Sequence, residues 1–181
     1  HSTVSSRIAA EVVELNFDVN DVVPKDSVIM KFRDEEFQAR VAQIQANLLA
    51  DKAQSREASA RQKEAEADSK RVKNLFKRQL VSQSALDKSN ADLGVANAKV
   101  QALQAQIKSR QAQLNEAKVQ LSYTTIVAPY SGVVTERLIE LGEMASPGQH
   151  LITGVSLEHL RAVVNVPQYL LTTIKSVKKP L

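Results

Sequence analysis

Between Leu86 and Leu121 the apolar residues fall at a constant step of seven: Leu86, Leu93, Val100, Ile107, Leu114 and Leu121. Ala96, Leu103 and Ala117 each stand three residues after a member of that row. Two rows so spaced keep one stripe of a helix turned toward a partner, which is the seam of a coiled coil. An earlier segment repeats the pattern more weakly. Phe37, Val41, Ile44 and Leu48 share a stripe that dilutes through Ser55, Ala58, Gln62, Ala65 and Ser69 and recovers at Val72 and Phe76. Small residues there let helices approach closely at reduced stability. No proline lies between Pro24 and Pro129, and Gly94 is the only glycine before Gly132. The pattern predicts an antiparallel helical hairpin over residues 35–120, with its tip at about 77–83. At 1.5 Å per residue each arm is about 60 Å long, more than a globular core needs.

On both sides of the hairpin the period changes from helical to strand-like. RIAAEVVELNFDVNDVVPKDSVIMKF before it and YTTIVAPYSGVVTERLIELGEMASPGQHLITGV after it alternate apolar and polar residues in short runs broken by turn residues. Both follow one plan, with a turn through Val22-Val23-Pro24-Lys25-Asp26 in the first and Met144-Ala145-Ser146-Pro147-Gly148 in the second. Neither flank is long enough for its own core, so together they are expected to form one small β-sandwich, residues 1–34 and 121–155, split by the hairpin.

Composition narrows the function. Among 181 residues 4% are aromatic and none is Trp, which suits an elongated α+β protein better than a thick globule. The balance of 24 Lys and Arg against 20 Asp and Glu is interspersed along the chain, arguing against a nucleic-acid footprint. The absence of Cys excludes disulfides, thiolate metal sites and a Cys nucleophile. The longest uncharged window, VQLSYTTIVAPYSGVVT, is half polar and broken by Pro129 and Gly132, so it is not a membrane span. The chain opens on His1 rather than Met, as expected of a processed chain or a fragment.

The segment LSYTTIVAPYSGVV, residues 121–134, resembles the signature that re-enters the lipoyl-like domain of periplasmic adaptors, the membrane fusion proteins of the HlyD type. Tyr123, Thr124, Ile126, Ala128, Pro129, Tyr130, Gly132 and Val134 match it. Pro129 can end a strand without a ladder donor, and Gly132 is expected to take a backbone conformation barred to other residues. The first flank departs from the pattern: Ala10 stands for a glycine, as do Asn20 and Asp26 in turns. Asn and Asp tolerate left-handed backbone, so the fold is expected to survive. Residues 156–181, with Pro167 and Tyr169, resemble the opening of the family's β-barrel domain, which then stops.

Within RVKNLFKRQLVSQSAL, residues 71–86, the spacing of Arg71, Leu75 and Ser82 is similar to the hairpin-tip motif of adaptors that dock onto TolC-type outer-membrane channels. The resemblance implies that Leu75 packs between channel helices, Arg71 donates to channel carbonyls, and Ser82 permits close approach. Two plainer roles stay open. Ser82 or Ser84 can be a helix N-cap, with Ser84-Ala85-Leu86-Asp87 fitting a capping box, and Leu75 can belong to the seam.

The resemblance further implies a non-enzymatic adaptor without cofactor or metal. Its partners are an inner-membrane transporter, RND-type favoured over an ABC exporter or type I secretion system, a TolC-type channel, and further copies of itself in a trimer of dimers or hexamer. Its place is the periplasm of a Gram-negative bacterium, beside the inner membrane, with any anchor outside this sequence. A structural coiled-coil spacer is the alternative. Asp51-Lys52-Ala53 spells the lipoyl attachment tripeptide, but it lies in a helical pattern on what reads as a solvated face, and Lys25 beside Pro24 lacks the tripeptide. His1, His150 and His159 form no ligand-spaced set, His150 reads as a loop residue, and no nucleophile elbow or phosphate loop is present.

Overall fold

The computed structural model describes residues 2–156. Ten elements follow in order: β1 (Ser2–Ser5), β2 (Ala10–Leu15), β3 (Val22–Val23), β4 (Val28–Phe32), α1 (Glu35–Lys77), α2 (Gln83–Ser122), β5 (Thr125–Val127), β6 (Gly132–Arg137), β7 (Met144–Ala145) and β8 (His150–Ser156). The architecture is the α+β arrangement read from the pattern, a long helical hairpin inserted into a split β-sandwich. The barrel-like segment with Pro167 and Tyr169 lies outside the described residues, as do His1 and His159.

The sandwich has two four-stranded sheets, in the orders β1-β8-β6-β3 and β5-β4-β2-β7, with every pairing antiparallel. Each sheet joins strands from both flanks, so neither half completes either sheet alone. Val12, Met30, Phe32, Ile139 and Leu151 are the largest side chains sealed in the core. Alternate residues of β2 and β6 turn inward, as period-two patterning requires.

The halves are related by one constant displacement along the chain. Val12 N donates to Glu143 O at 3.0 Å, and the displaced pair, Val134 N to Asp21 O, also measures 3.0 Å. Gly142 N to Val12 O at 2.8 Å answers Asn20 N to Val134 O at 2.9 Å. Ser6 N to Gln149 O answers Ala128 N to Ser27 O, both 2.9 Å. The left-handed turn positions obey the same relation: Asn20 (φ 75°) matches Gly142 (φ 83°), and Asp26 (φ 62°) matches Gly148 (φ 85°). Asn20 and Asp26 thus do what the departures in the first flank required, since Asn and Asp enter this region more readily than other side chains.

Gly132 behaves otherwise than expected. It is not among the positive-φ residues; a Cβ there would stand 2.5 Å from Val155 O on the paired strand β8. Close backbone approach, not conformational freedom, fixes glycine at this position. His150 opens β8 rather than lying in a loop, and its Nδ1 is 2.8 Å from Ser5 Oγ.

The hairpin arms are 43 and 40 residues long. Glu35 and Glu36 sit in the first turn of α1 and Lys77 in its last, each of the sign the helix dipole favours. Along α2 the heptad row and the residues three further on are buried or half-buried throughout, including Val100, Leu103, Leu114 and Ala117. The stripe of α1 continues without a break because Asp51 fills the step between Leu48 and Ser55. Asp51 is 7% exposed, so the solvated-face reading holds for Lys52 but fails for Asp51. Gln106 Nε2 donates to its Oδ1 at 2.6 Å, and Arg110 Nε to its Oδ2 at 3.3 Å. Further toward the tip, Gln62 Nε2 donates to Asn97 Oδ1 at 2.7 Å and Ser69 Oγ to Asn90 Oδ1 at 3.1 Å. The weak half of the seam therefore holds polar pairs as well as small residues, and no buried side-chain polar atom among the described residues lacks a partner.

Candidate docking site at the hairpin tip

Helix α1 ends without glycine. Gln79 adopts φ 58°, its N–H donates to Phe76 O at 2.9 Å, and Leu80 N donates back to Leu75 O at 3.0 Å. These two bonds are the Schellman pattern, which satisfies carbonyls that the helix end would otherwise leave open. Glutamine there accepts a left-handed conformation that glycine would take without strain. The chain then reverses within a few residues. Leu80 is 66% exposed at the apex, the only large apolar side chain so exposed between Leu49 and Val95 among the described residues.

Ser82 opens α2. Its Oγ accepts from Ala85 N at 3.2 Å, and its carbonyl accepts from Leu86 N at 3.3 Å. Of the two candidate caps, Ser82 is therefore the N-cap; the capping box proposed for Ser84 does not form, and Asp87 instead accepts from Gln83 Nε2 at 2.7 Å. A serine here satisfies one of the amides that a helix start leaves open.

Arg71 and Leu75 come together as their spacing predicts. They line one groove on α1 with Ala67, Lys70, Asn74 and Arg78. Leu75 is half-buried, flanking the seam residues Val72 and Phe76. Arg71 is exposed, and its guanidinium pairs with Asp68 one turn earlier. Ser82 does not line this groove. Two of the three expected contact residues therefore share a surface, and the third stands across the turn.

The tip also gathers charge that composition concealed. Lys70, Arg71, Lys73, Lys77 and Arg78 fall within the last turns of α1, and no Asp or Glu occurs from Ser69 to Leu86. The charges are thus blocked at this one place, although they are interspersed elsewhere. The run KRVKNLFKRQ carries the signal in plain view. Lys70, Asn74, Arg78 and Leu80 are the tip residues that motif matching passed over.

At the other end of the hairpin, the signature residues join it to the sandwich. Thr124 is buried; its Oγ1 donates to Leu121 O at 2.7 Å, and its carbonyl accepts from Phe32 N at 2.7 Å. That carbonyl ties the exit of α2 to the end of β4, immediately before α1 begins. Tyr123 packs on the core beneath Arg7, whose guanidinium carbon is 5.0 Å from the ring centroid, a cation–π distance. Ala128 is sealed in the core and exchanges backbone bonds with Asp26 and Ser27, while Pro129 follows β5 on the surface. Lys25 lies in the exposed turn after Pro24, and its backbone N–H donates to Ser131 Oγ at 3.1 Å. Lys52 is on the side of α1, not at a β-turn where lipoylation chemistry needs its lysine. No group of three or more metal-ligating side chains occurs among the described residues, and none of their helices is long and apolar enough to cross a membrane.

The chain thus presents a helical hairpin carried by a split β-sandwich, with a capped and cationic tip. Residues 47–124, less than half of the chain, match the family model described as RND MFP, alpha-helical hairpin domain. MacA from Actinobacillus actinomycetemcomitans has the same fold, with a TM-score of 0.81 and 21% identity over 86% of this chain and 49% of that one. A membrane fusion protein from Streptococcus pneumoniae R6 gives 0.51 and 18%, over 87% of this chain and 62% of that one. A MacA-MexA chimera containing the Pseudomonas aeruginosa MexA hairpin gives 0.50 and 19%, over 86% and 48%. The chain spans about half the length of the MacA structure. No curated protein matches it in sequence.

Proposed function

We propose that the protein is a non-enzymatic adaptor subunit of a tripartite efflux or secretion system. It stands in the periplasm of a Gram-negative bacterium, beside the inner membrane, and links a transporter there to a TolC-type outer-membrane channel. The observation that carries this reading is the tip. Arg71 and Leu75 share one groove at the end of an arm 43 residues long, and the N-cap Ser82 lies just across the reversal. A spacer has no need of an exposed Leu80 or of five cations at its extremity. The description attached to residues 47–124 favours an RND-type transporter. Side-by-side association of lipoyl-like domains, as a trimer of dimers or hexamer, lets several copies enclose a conduit. An adaptor to an ABC exporter differs at the transporter end, which these tip residues do not reach.

The test is drug resistance restored by plasmid-borne variants in a strain lacking the adaptor. Arg71→Asp and Ser82→Arg abolish resistance while the protein stays folded and periplasmic. Wild-type resistance in both would leave the coiled-coil spacer as the better reading.

A further inference from the structure

The groove on the last turns of α1 has a definite chemistry. Ala67 and Leu75 give it an apolar floor, Lys70, Arg71 and Arg78 a cationic rim, and Asn74 an amide that can donate or accept. Of the three cations only Arg71 has a carboxylate partner among the described residues, namely Asp68 on its own helix. Lys70 and Arg78 have none there, and neither do Lys73 and Lys77. Unpaired like charges within two turns of one helix repel each other by a few tenths of a kcal/mol per pair. A structural role gains nothing from concentrating them at the tip.

We propose that this groove seats an acidic helical segment of the partner, whose carboxylates meet Lys70, Arg71 and Arg78 while its small apolar residues rest on Ala67 and Leu75. The inference rests on the adaptor reading and adds the charge and shape of what the tip receives. Arg71 exchanges Asp68 for a partner carboxylate, so its guanidinium is already held near the position it needs. Arginine suits this site through its planar, bidentate fork, and Lys70 supplies a mobile point charge beside it. An anionic membrane surface is the weaker occupant. Interfacial binding uses a broad apolar face, commonly with aromatic residues, whereas this tip exposes one large apolar side chain, Leu80.

The experiment uses the purified full chain and two probes. One is a fluorescein-labelled helical peptide with glutamates four apart around alanine, compared with its glutamine counterpart; the other is a phosphatidylglycerol vesicle. The glutamate peptide binds and the glutamine peptide binds roughly tenfold more weakly or not at all. Raising salt from about 50 to about 500 mM weakens the glutamate complex roughly tenfold, since exposed charges are screened. Lys70→Gln/Arg78→Gln weakens it about as much without altering the circular dichroism spectrum.

Equal binding of the two peptides, or binding unaffected by the double substitution, overturns the inference. So does vesicle binding that depends on Lys70 and Arg78 when the peptide does not bind. The two readings fail separately. If Arg71→Asp abolishes resistance while Lys70→Gln/Arg78→Gln leaves resistance and peptide binding intact, docking stands and the acidic partner falls. If Arg71→Asp and Ser82→Arg both keep full resistance, the docking reading itself falls.

Discussion

Asp51 and Gln106 face each other across the hairpin seam, with the amide Nε2 donating to the carboxylate at 2.6 Å. Arg110 closes the same layer from one turn along, its side chain still 30% exposed. A carboxylate in a coiled-coil stripe is tolerated because both its oxygens are engaged and its charge is met by a guanidinium with access to water.

Removing one member of such a layer differs from replacing it by an apolar residue of similar size. Asp51→Ala removes the acceptor shared by Gln106 and Arg110 and leaves a gap in the seam, and is expected to destabilise the hairpin by about 1 kcal/mol. Asp51→Leu restores an apolar step between Leu48 and Ser55 and is expected to be near neutral or stabilising. Urea denaturation of the two variants, followed by helical circular dichroism, measures the difference. Equal losses would show that the layer acts through something other than satisfaction of its polar groups.

The internal symmetry of the sandwich gives a second comparison. Gly142 and Asn20 occupy equivalent left-handed turns, and a Cβ at Gly142 would have open space around it. The only penalty for a side chain there is backbone conformation. Gly142→Ala is expected to cost about 1–2 kcal/mol, whereas Gly142→Asn, the residue used by the matching turn, costs a fraction of that. Thermal unfolding of both variants reads this directly, with Gly142→Asn melting nearer to wild type.

The parts of the fold written as periodicity were legible in the sequence. The heptad row from Leu86 to Leu121 marks α2, the alternation around Ala10–Leu15 marks β2, and the break in Pro and Gly between them marks the insertion. Asp51 was hidden because hydrophobic patterning scores a carboxylate as surface, although its position in the row of three and four steps places it in the seam. Gly132 was given the wrong cause because sequence cannot separate a glycine needed for its φ from one needed for its lack of Cβ. At the tip, the Arg71 and Leu75 pairing follows from a spacing of four on one helix, but the groove they share with Lys70, Asn74 and Arg78 depends on where α1 stops. That stop is set by Gln79 in a left-handed conformation, which no glycine announces.

Acid should weaken the sandwich through the turn after β2. The Asp18 carboxyl is held below the usual aspartate range, first by the N–H of Val19 at 2.7 Å and then by the Arg137 guanidinium at 3.1 Å. Glu14 is lowered similarly, chiefly by Lys31 and then by Asn16. A depressed carboxylate pKa means that the unfolded chain takes up protons first as pH falls. The stabilisation is therefore complete above the unfolded carboxylate range, about pH 4, and is lost progressively below it. Asp18→Asn is expected to flatten the acid limb of melting temperature against pH by lowering its neutral-pH plateau, and only slightly, because Asp18 is solvent-exposed. An unchanged acid limb would assign acid sensitivity to other carboxylates.

Ser82 has two candidate roles, and substitutions can separate them. As N-cap it accepts from Ala85 N at 3.2 Å. Ser82→Ala removes that acceptor and is expected to cost about 1 kcal/mol locally, roughly a fivefold loss of hydrogen-exchange protection over the first turn of α2. Ser82→Asp keeps an acceptor at the same place and adds a negative charge favourable to a helix start, so protection is retained. Drug resistance then reports the second role. A close contact with the channel demands a small, uncharged side chain, so the docking proposal expects Ser82→Asp to be folded, capped and inactive. Resistance that follows the cap instead, present in Ser82→Asp and reduced in Ser82→Ala, would make Ser82 a residue that shapes the tip and leave the channel contact to Arg71 and Leu75.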